Sequence, residues 1–570
     1  MKKSIFSLIA TVIAISVLSG CIEETFPLEG AATSEQMAES SAAMQGSVDG
    51  MVAQTYQPYY FFGSDNQLEY DISYAGLLIT YARMTNDLVN NSKTIGYDWW
   101  CGYLGAYGYV MNADNNRQLV PYMTLYKIIK SANDIIGPLA ALESPNADQK
   151  IYLGTAYVYR ALMYHDLYNM YLPALNDYTD CSKVDGLTVP IIVSSAEEAP
   201  ASKTARAPKK ALSDFVLADL DKAEALLAGY VPATGRYPGL AVVYGLKARM
   251  YLAIADYDNA ATYARKAITE SGKTPLTEEQ WHDPKTAFCD ANGNNSWMWY
   301  YTISGNNMGN LCNPTGFLAG EADWGYNSLT QLSLHKWLYD RMSYTDFRKR
   351  SFIDPDREKY TADYYTWADK AGYLADYPFA KLPDYFSLKI RCKGGDWKTY
   401  SIGGAVDWPI MRVEEMYLIE AEAVGMGEQG EDAGGALLET FMQTYRDPNY
   451  TYANAKATFS PTGFVKNFQE EVLYQKRVEF LCEGVGYFDA KRIRPGMKTW
   501  YAGSKVIHDT MKYDVKEVSP YWNFVIPTDE VENNDYILKE DGIPSEIDGV
   551  TTTLNNPDPT KKIENETTVF

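Results

Sequence analysis

The residues of this 570-residue chain that could do chemistry include two crowded sets of ionisable side chains. Glu414, Glu415, Glu420 and Glu422 form one set; Arg477, Glu479, Glu483 and Arg492 form the other. Carboxylates can serve as general acid and base, and glycoside cleavage needs two of them opposed across the scissile bond. The spacing argues for a different use. On a helix, Arg477 and Glu483 lie nearly two turns apart, so each can cap or pair with a different neighbouring helix. Structural ion pairing is the expected role of both sets. The four His (His165, His282, His335, His508) are too dispersed for an H-E-x-x-H metal site, and neither G-x-S-x-G nor a P-loop occurs. Gly425-x-Gly427-x-x-Gly430 spells the dinucleotide fingerprint, but a helical pattern precedes it where a strand is required, so it reads as a helix–helix turn. Asp290-Ala291-Asn292-Gly293-Asn294 hints at a calcium loop without the Gly and Glu placement of an EF-hand, and reads as a surface turn. No catalytic residue, metal site or cofactor is expected.

The aromatic residues are more informative. Of 47 Tyr, those at Tyr157, Tyr164, Tyr168 and Tyr171 recur at helical spacing and belong to helix packing. Trp99-Trp100, Trp281, Trp297-x-Trp299-Tyr300-Tyr301 and Trp324-x-Tyr326 follow no helical period and stand beside Gly, Asn and Asp. A flat ring with a polar tip suits a sugar: the ring covers the C–H face while Asp, Asn and Arg bond the hydroxyls. Packing beneath a loop is the competing role for each ring.

The elements that must position these groups are mainly helical. Val243 to Glu270 holds two helical stretches joined at Asp256-Tyr257-Asp258, with Ala248, Ala260, Ala264 and Ala267 allowing close approach and Tyr251 filling the gap. This resembles a tetratricopeptide (TPR) helix pair. Weaker copies are expected at 71–142, 150–227 and 409–446, giving about four pairs with that at 241–270. Lys150 to Leu172 reads as an amphipathic helix, with Leu212 to Leu227 as its partner. Stacked pairs bury a continuous core only when several are present. The segment 271–408 is irregular and rich in Gly, Asn, Asp, Trp and Tyr; like 501–570, it is expected to pack on the helices and not to form a separate domain. A single domain over 48–570 results, although length alone would suggest three or four.

The N-terminus carries Lys2-Lys3, an uncharged apolar run from Ser4 to Leu18, then Leu18-Ser19-Gly20-Cys21. That is the order of a secretory signal, too short for a permanent span of about 20 apolar residues. Cys21 after Leu-Ser-Gly resembles the bacterial lipobox, which implies cleavage after residue 20 and acylation of Cys21. Residues 21–47 then read as a lipidated tether. The acidic Glu23-Glu24 pair resembles a surface-export signal of Bacteroidetes lipoproteins. With a formal charge of −22, the chain is a poor partner for nucleic acid or anionic lipid headgroups. Apart from Cys21, Cys101, Cys181, Cys289, Cys312, Cys392 and Cys482 are scattered, and mostly free buried thiols are favoured over any of fifteen disulfide pairings.

Three further segments, in order, carry a family resemblance. They are Asp407-Trp408-Pro409-Ile410-Met411-Arg412 continuing to Ala423; Leu473 to Gly484 (LYQKRVEFLCEG) with Tyr487-Phe488-Asp489-Ala490-Lys491-Arg492; and Ile526-Pro527 with Glu530 and Asn533-Asn534. With the lipobox and the helix pairs they resemble the SusD/RagB family of Bacteroidetes nutrient-uptake lipoproteins, over nearly the whole chain. Gly486, Ala490 and Arg446-Asp447-Pro448 depart from the family pattern. The resemblance implies an outer-membrane, lipid-anchored, non-enzymatic protein at the cell surface. It would capture oligosaccharide for a SusC-like TonB-dependent barrel, the membrane contact being the N-terminal lipid. Capture of peptide, as in the RagB branch, and a surface glycoside hydrolase are the alternatives. In glucan-binding members an aromatic arc holds the ligand, one ring coming from an early loop and others from the irregular region. By location this implies Trp99 or Trp100 with Arg83, Asn86 and Asp87, together with Trp297, Tyr300, Trp324 and Tyr326.

Overall fold

The computed structural model describes residues 40–56, 73–90, 116–176, 184–194, 203–305, 313–325, 332–356 and 382–498, and from 501 to 538 residues 501, 503–504, 514–515, 517–519 and 522–538. Cys21, Trp99, Trp100, Cys101, Cys181, Cys312 and Tyr326 lie outside them. The principal helices are α1 (Ser41–Ala53), α2 (Ser73–Met84), α3 (Asn116–Ala140), α4 (Ala147–Tyr171), α5 (Lys209–Leu226), α6 (Leu240–Ala253), α7 (Tyr257–Ser271), α8 (Val413–Met426), α9 (Glu431–Tyr445), α10 (Phe468–Glu479) and α11 (Val485–Ile493). From α3 to α9 each packs against the next, a TPR-like array; α10 lies on α8 and α11, and α11 lies on α2.

Local sequence sets the boundaries. Asn146 and Gln149 form a reciprocal capping box at the start of α4. Asp256 caps α7, which ends on Gly272 in the left-handed region. Ala260, Ala264 and Ala267 are fully buried, letting α7 sit close to its neighbours. The three fingerprint glycines have structural roles: Gly425 faces the Phe468 ring, Gly427 ends α8, and Gly430 opens α9 at φ 81°. A Cβ on Gly434 would come 2.4 Å from Gly425 Cα and 2.6 Å from the Ala421 carbonyl oxygen, so the close α8–α9 crossing depends on Gly434 lacking a side chain.

Two expectations change. The 71–142 segment is not a simple hairpin: α3 packs mainly on α4, and α2 mainly on α11. Helix α4 is buried on nearly every side, because α1, α3, α5 and α11 surround it. Its polar residues are consumed inside: Arg160 donates to Asp219 of α5 at 2.7 and 2.8 Å and to Asn133 of α3 at 2.7 Å.

Short antiparallel ladders join the irregular region to this array: strand β1 (Leu88–Asn90) pairs with β5 (Leu332–Leu334), and β4 (Trp297–Thr302) with β6 (Asp407–Arg412), which runs into α8; β2 (Leu187–Pro190) pairs with β3 (Arg206–Pro208) within the segment between α4 and α5. Immediately after β6 comes a fully buried ionic centre. Glu479 accepts from Arg446 at 2.7 and 2.8 Å, from Arg412 at 3.1 Å and from Arg348 at 3.2 Å. Arg412 also holds Glu483 at 2.7 Å and lies 3.0 Å from Glu414, while Lys389 reaches Glu483 at 2.5 Å. Beside it Lys476 bridges Glu422 and Asp489 at 2.9 and 2.8 Å, and Arg492 meets the same two carboxylates. Burial alone would raise these carboxyl pKa values; the surrounding cations win, holding Glu479 far below the usual carboxylate range and Asp489 at about 2.

Removing one partner of such a centre leaves buried guanidiniums uncompensated. Glu479→Ala is expected to cost roughly 3–5 kcal/mol in chemical denaturation. The folded pKa of Glu479 is depressed below the unfolded value of about 4.3. Its contribution is therefore full above that value and declines as pH falls toward the folded pKa. The stability gap between wild type and Glu479→Gln should be widest at neutral pH and narrow below about pH 4.

Candidate functional site

Sugar recognition needs rings at a surface, so the burial of each candidate ring decides its role. Trp297, in β4, is 1 % exposed and packs near Tyr300 with ring centroids 6.1 Å apart. Neighbouring Trp299 and Trp408 are fully buried too, so the β4–β6 ladder is part of the core. Tyr300 is half-buried, its ring lying against Gly235, whose carbonyl accepts the Tyr300 N–H at 2.9 Å. Burial raises the Tyr300 phenol pKa. Trp324 is 8 % exposed and lies under Gly403, where a Cβ would come 2.7 Å from its Cη2.

The early polar candidates are buried as well. Arg83, Asn86 and Asp87 close the end of α2 and are all buried. Asn86 takes a left-handed turn with φ 54°, and the Asp87 N–H closes the helix end on the Ala82 carbonyl at 3.1 Å. Arg477 donates to Asp87 at 2.6 Å and to the Thr85 carbonyl at 3.1 Å. Desolvation raises the Asp87 pKa despite Arg477. These side chains anchor β1; Trp297, Arg83, Asn86 and Asp87 present almost no surface to a ligand. Short polar side chains at a helix end satisfy backbone and ionic needs as readily as ligand ones, and sequence does not separate the two.

The structure exposes a different set of rings. The 396–404 segment lies over Trp324, tied by the Asp323 N–H to the Trp397 carbonyl at 2.9 Å. It carries Trp397, half-buried with the Lys398 ammonium 4.4 Å from its ring centroid, and then Tyr400 (40 % exposed) and Ile402 (55 %). Asp323, whose backbone is bound to Trp397, is itself exposed. Asp396 Oδ1 accepts the Lys398 and Thr399 N–H groups at 3.0 and 2.9 Å, shaping the turn that presents the rings. Trp397 and Tyr400 were missed in the sequence, although Gly394-Gly395 and Gly403-Gly404 flank them as Gly flanks the chosen rings.

Asn90 and Leu332 are register partners at one end of the β1–β5 ladder, and Trp99, Trp100 and Tyr326 lie outside the described residues. Ser333 of β5 bridges to Phe386, whose ring lies against Gly320, in the segment that carries Trp324. The motif carboxylates are otherwise engaged: Arg249 holds Glu415 at 2.5 and 2.7 Å, Arg265 holds Glu420, and Glu414, Glu422, Glu479 and Glu483 sit in the buried centre. The 290–294 segment is a turn in which Asp290 accepts the Asn292 N–H at 2.9 Å, with the Lys393 ammonium 3.9 Å away. Cys289, Cys392 and Cys482 are buried free thiols.

This division predicts opposite signatures for two aromatic variants. Trp297→Ala should cost roughly 3–5 kcal/mol of stability, as large core truncations do. Tyr400→Ala should change stability by no more than about 0.5 kcal/mol. Thermal denaturation of the two variants checks both.

The comparisons with known proteins agree with this architecture. A family model described as "SusD family" matches residues 356–539, and one described as "Starch-binding associating with outer membrane" matches residues 33–252. No curated protein matches the sequence significantly. Among solved structures, a SusD-like carbohydrate binding protein from Bacteroides vulgatus aligns with TM-score 0.64 at 17% identity, covering 87% of this chain and 97% of its own. A SusD superfamily protein from Bacteroides fragilis aligns with TM-score 0.61 at 17% identity, covering 88% and 99%. Surface glycan-binding protein A from Bacteroides thetaiotaomicron, in complex with laminarihexaose, aligns with TM-score 0.56 at 16% identity, covering 88% and 99%. At such identities the likeness is one of fold. Two related family models that between them span most of the chain, on a fold shared nearly end to end with solved SusD-like proteins, make this chain a member of the SusD/RagB family.

Proposed function

We propose that the chain is a cell-surface glycan-binding lipoprotein. Acylated at Cys21, it captures oligosaccharide outside the outer membrane and delivers it to a TonB-dependent barrel without performing chemistry itself. The observation that carries this reading is the turn that presents Trp397, Tyr400 and Ile402 toward solvent, bound through Trp397 to the backbone of exposed Asp323. Rings stack on the C–H face of a pyranose, and a neighbouring carboxylate accepts its hydroxyls. The family description naming starch and the outer membrane, and the laminarihexaose held by a structural relative, support the same ligand class. Trp99, Trp100 and Tyr326 are included as further ligand contacts on the family resemblance alone, and Trp324 supports the turn from beneath Gly403. The motif carboxylates engaged in ion pairs support binding over hydrolysis.

Calorimetric titration of the purified chain against starch-derived and laminarin-derived oligosaccharides, and against peptides, tests this. Saturable binding to one glycan class is expected, weakened by roughly 1–3 kcal/mol in Trp397→Ala and Tyr400→Ala with folding intact. Saturation by peptides alone, or glycan binding untouched by loss of either ring, would overturn it.

A further inference from the structure

The turn that presents Trp397, Tyr400 and Ile402 is closed at its base by backbone lying on backbone. Asp396 and Gly403, at its two ends, approach so closely that a Cβ on Gly403 would fall 1.7 Å from the Asp396 carbonyl oxygen. The same Cβ would come 2.7 Å from Cη2 of Trp324 beneath. A second glycine presses from outside the turn: a Cβ on Gly305 would come 2.5 Å from the Ser401 carbonyl oxygen. Neither glycine takes a positive φ, so the backbone conformation itself would accept alanine and only the space forbids it.

Hydrogen bonds complete the closure. The Thr399 carbonyl accepts from Ile402 at 2.9 Å and from Gly403 at 2.8 Å, and the Tyr400 carbonyl accepts from Gly404 at 2.9 Å. Three residues beyond Gly403, the Val406 carbonyl accepts the Ile303 N–H at 2.8 Å, tying the turn to the end of β4. Burial does not account for so tight a base, because residues 398–402 are all exposed. Ordering them costs conformational entropy and returns little apolar area. A turn fixed at that cost serves what it presents.

Taking this turn as the glycan-binding surface, a reading on which the inference rests, we propose that Gly403 and Gly305 are positioning residues of that site. They touch no ligand. They act through Trp397 and Tyr400, by admitting the backbone contacts that set both rings before the ligand arrives. Rings fixed beforehand lose less freedom on binding, so displacing the turn by one methyl group should cost affinity while the helical array stays folded.

The test compares Gly403→Ala and Gly305→Ala with Gly137→Ala in α3, where a Cβ would meet nothing within 4 Å. The purified full chain, labelled with 5-fluorotryptophan, is read by fluorine NMR. The Trp397 and Trp297 signals are assigned by their loss in Trp397→Phe and Trp297→Phe. Calorimetric titration uses the starch-derived and laminarin-derived oligosaccharides, and chemical denaturation follows the fold. Both clashing variants should shift the Trp397 signal and weaken glycan binding by roughly tenfold or more. The Trp297 signal and the unfolding midpoint should not move, and Gly137→Ala should match wild type throughout. An unmoved Trp397 signal or wild-type affinity in Gly403→Ala overturns the proposal. So does a shift of Trp297 together with Trp397, which marks a general loss of structure. Should the wild-type chain bind no glycan, the glycan reading falls by itself, and the Trp397 signal still decides whether these glycines place the ring. If Gly403→Ala does not fold, the same readings on Gly305→Ala decide.

Discussion

A carboxylate buried among three guanidiniums constrains everything else in this molecule. Glu479, the last residue of α10, is met by Arg348 from the irregular region, Arg412 from the end of β6 and Arg446 from the end of α9. Each arginine also touches something further: Asp346, Glu483 with the Glu479 carbonyl, and the Leu276 carbonyl respectively. Charges placed this deep are tolerated only when every one is matched and hydrogen-bonded. The arrangement therefore admits few alternatives in how the irregular region sits on the helices. Stability alone is a weak reason for such a centre, since apolar residues of similar volume can do as well. Positional specificity accounts better for its presence here, where several of the described stretches between the helices have little regular secondary structure.

Away from that centre, side chains substitute for the missing backbone ladders. Glu321 accepts the Cys392 N–H at 2.5 Å and Arg391 at 2.9 Å, joining two stretches of loop. Asp407 holds the Ala291 N–H at 3.0 Å and the Thr302 hydroxyl at 2.6 Å, and Asn294 spans the Thr286 and Asp290 carbonyls at 2.7 Å each. Backbone polar groups in irregular segments must find partners, and short Asp, Asn and Glu side chains supply them. The composition that suggested sugar recognition is thus partly the composition of a packed irregular scaffold. What the scaffold leaves outside includes the turn that carries the rings at 397 and 400, set above Trp324.

Much of the scaffold was legible because its signals are local. Alanine spacing and the Asp256 turn specified the α6–α7 pair, and the surroundings of the glycines at 425, 427 and 430 excluded a nucleotide loop. The ionic role of Glu479 and Glu483 was expected from the spacing of Arg477 and Glu483, although α10 ends at Glu479 and Glu483 lies in the turn beyond it. The partners were not readable: Arg348 lies 131 positions from Glu479, and Asp87 lies 390 from Arg477. The all-round burial of α4 likewise depends on how many neighbours surround it.

The sequence by itself therefore determined the helical class, the family and the kind of residue a site would use, since periodicity, capping and motif order are properties of nearby residues. It did not determine which tryptophans face water. Trp297 and Trp397 stand in similar company along the chain, yet one is sealed in the β4–β6 ladder and the other rides on a surface turn. Solvent exposure is a property of what folds over a residue, and here that covering comes from segments about a hundred positions away. Only the tertiary structure decided it.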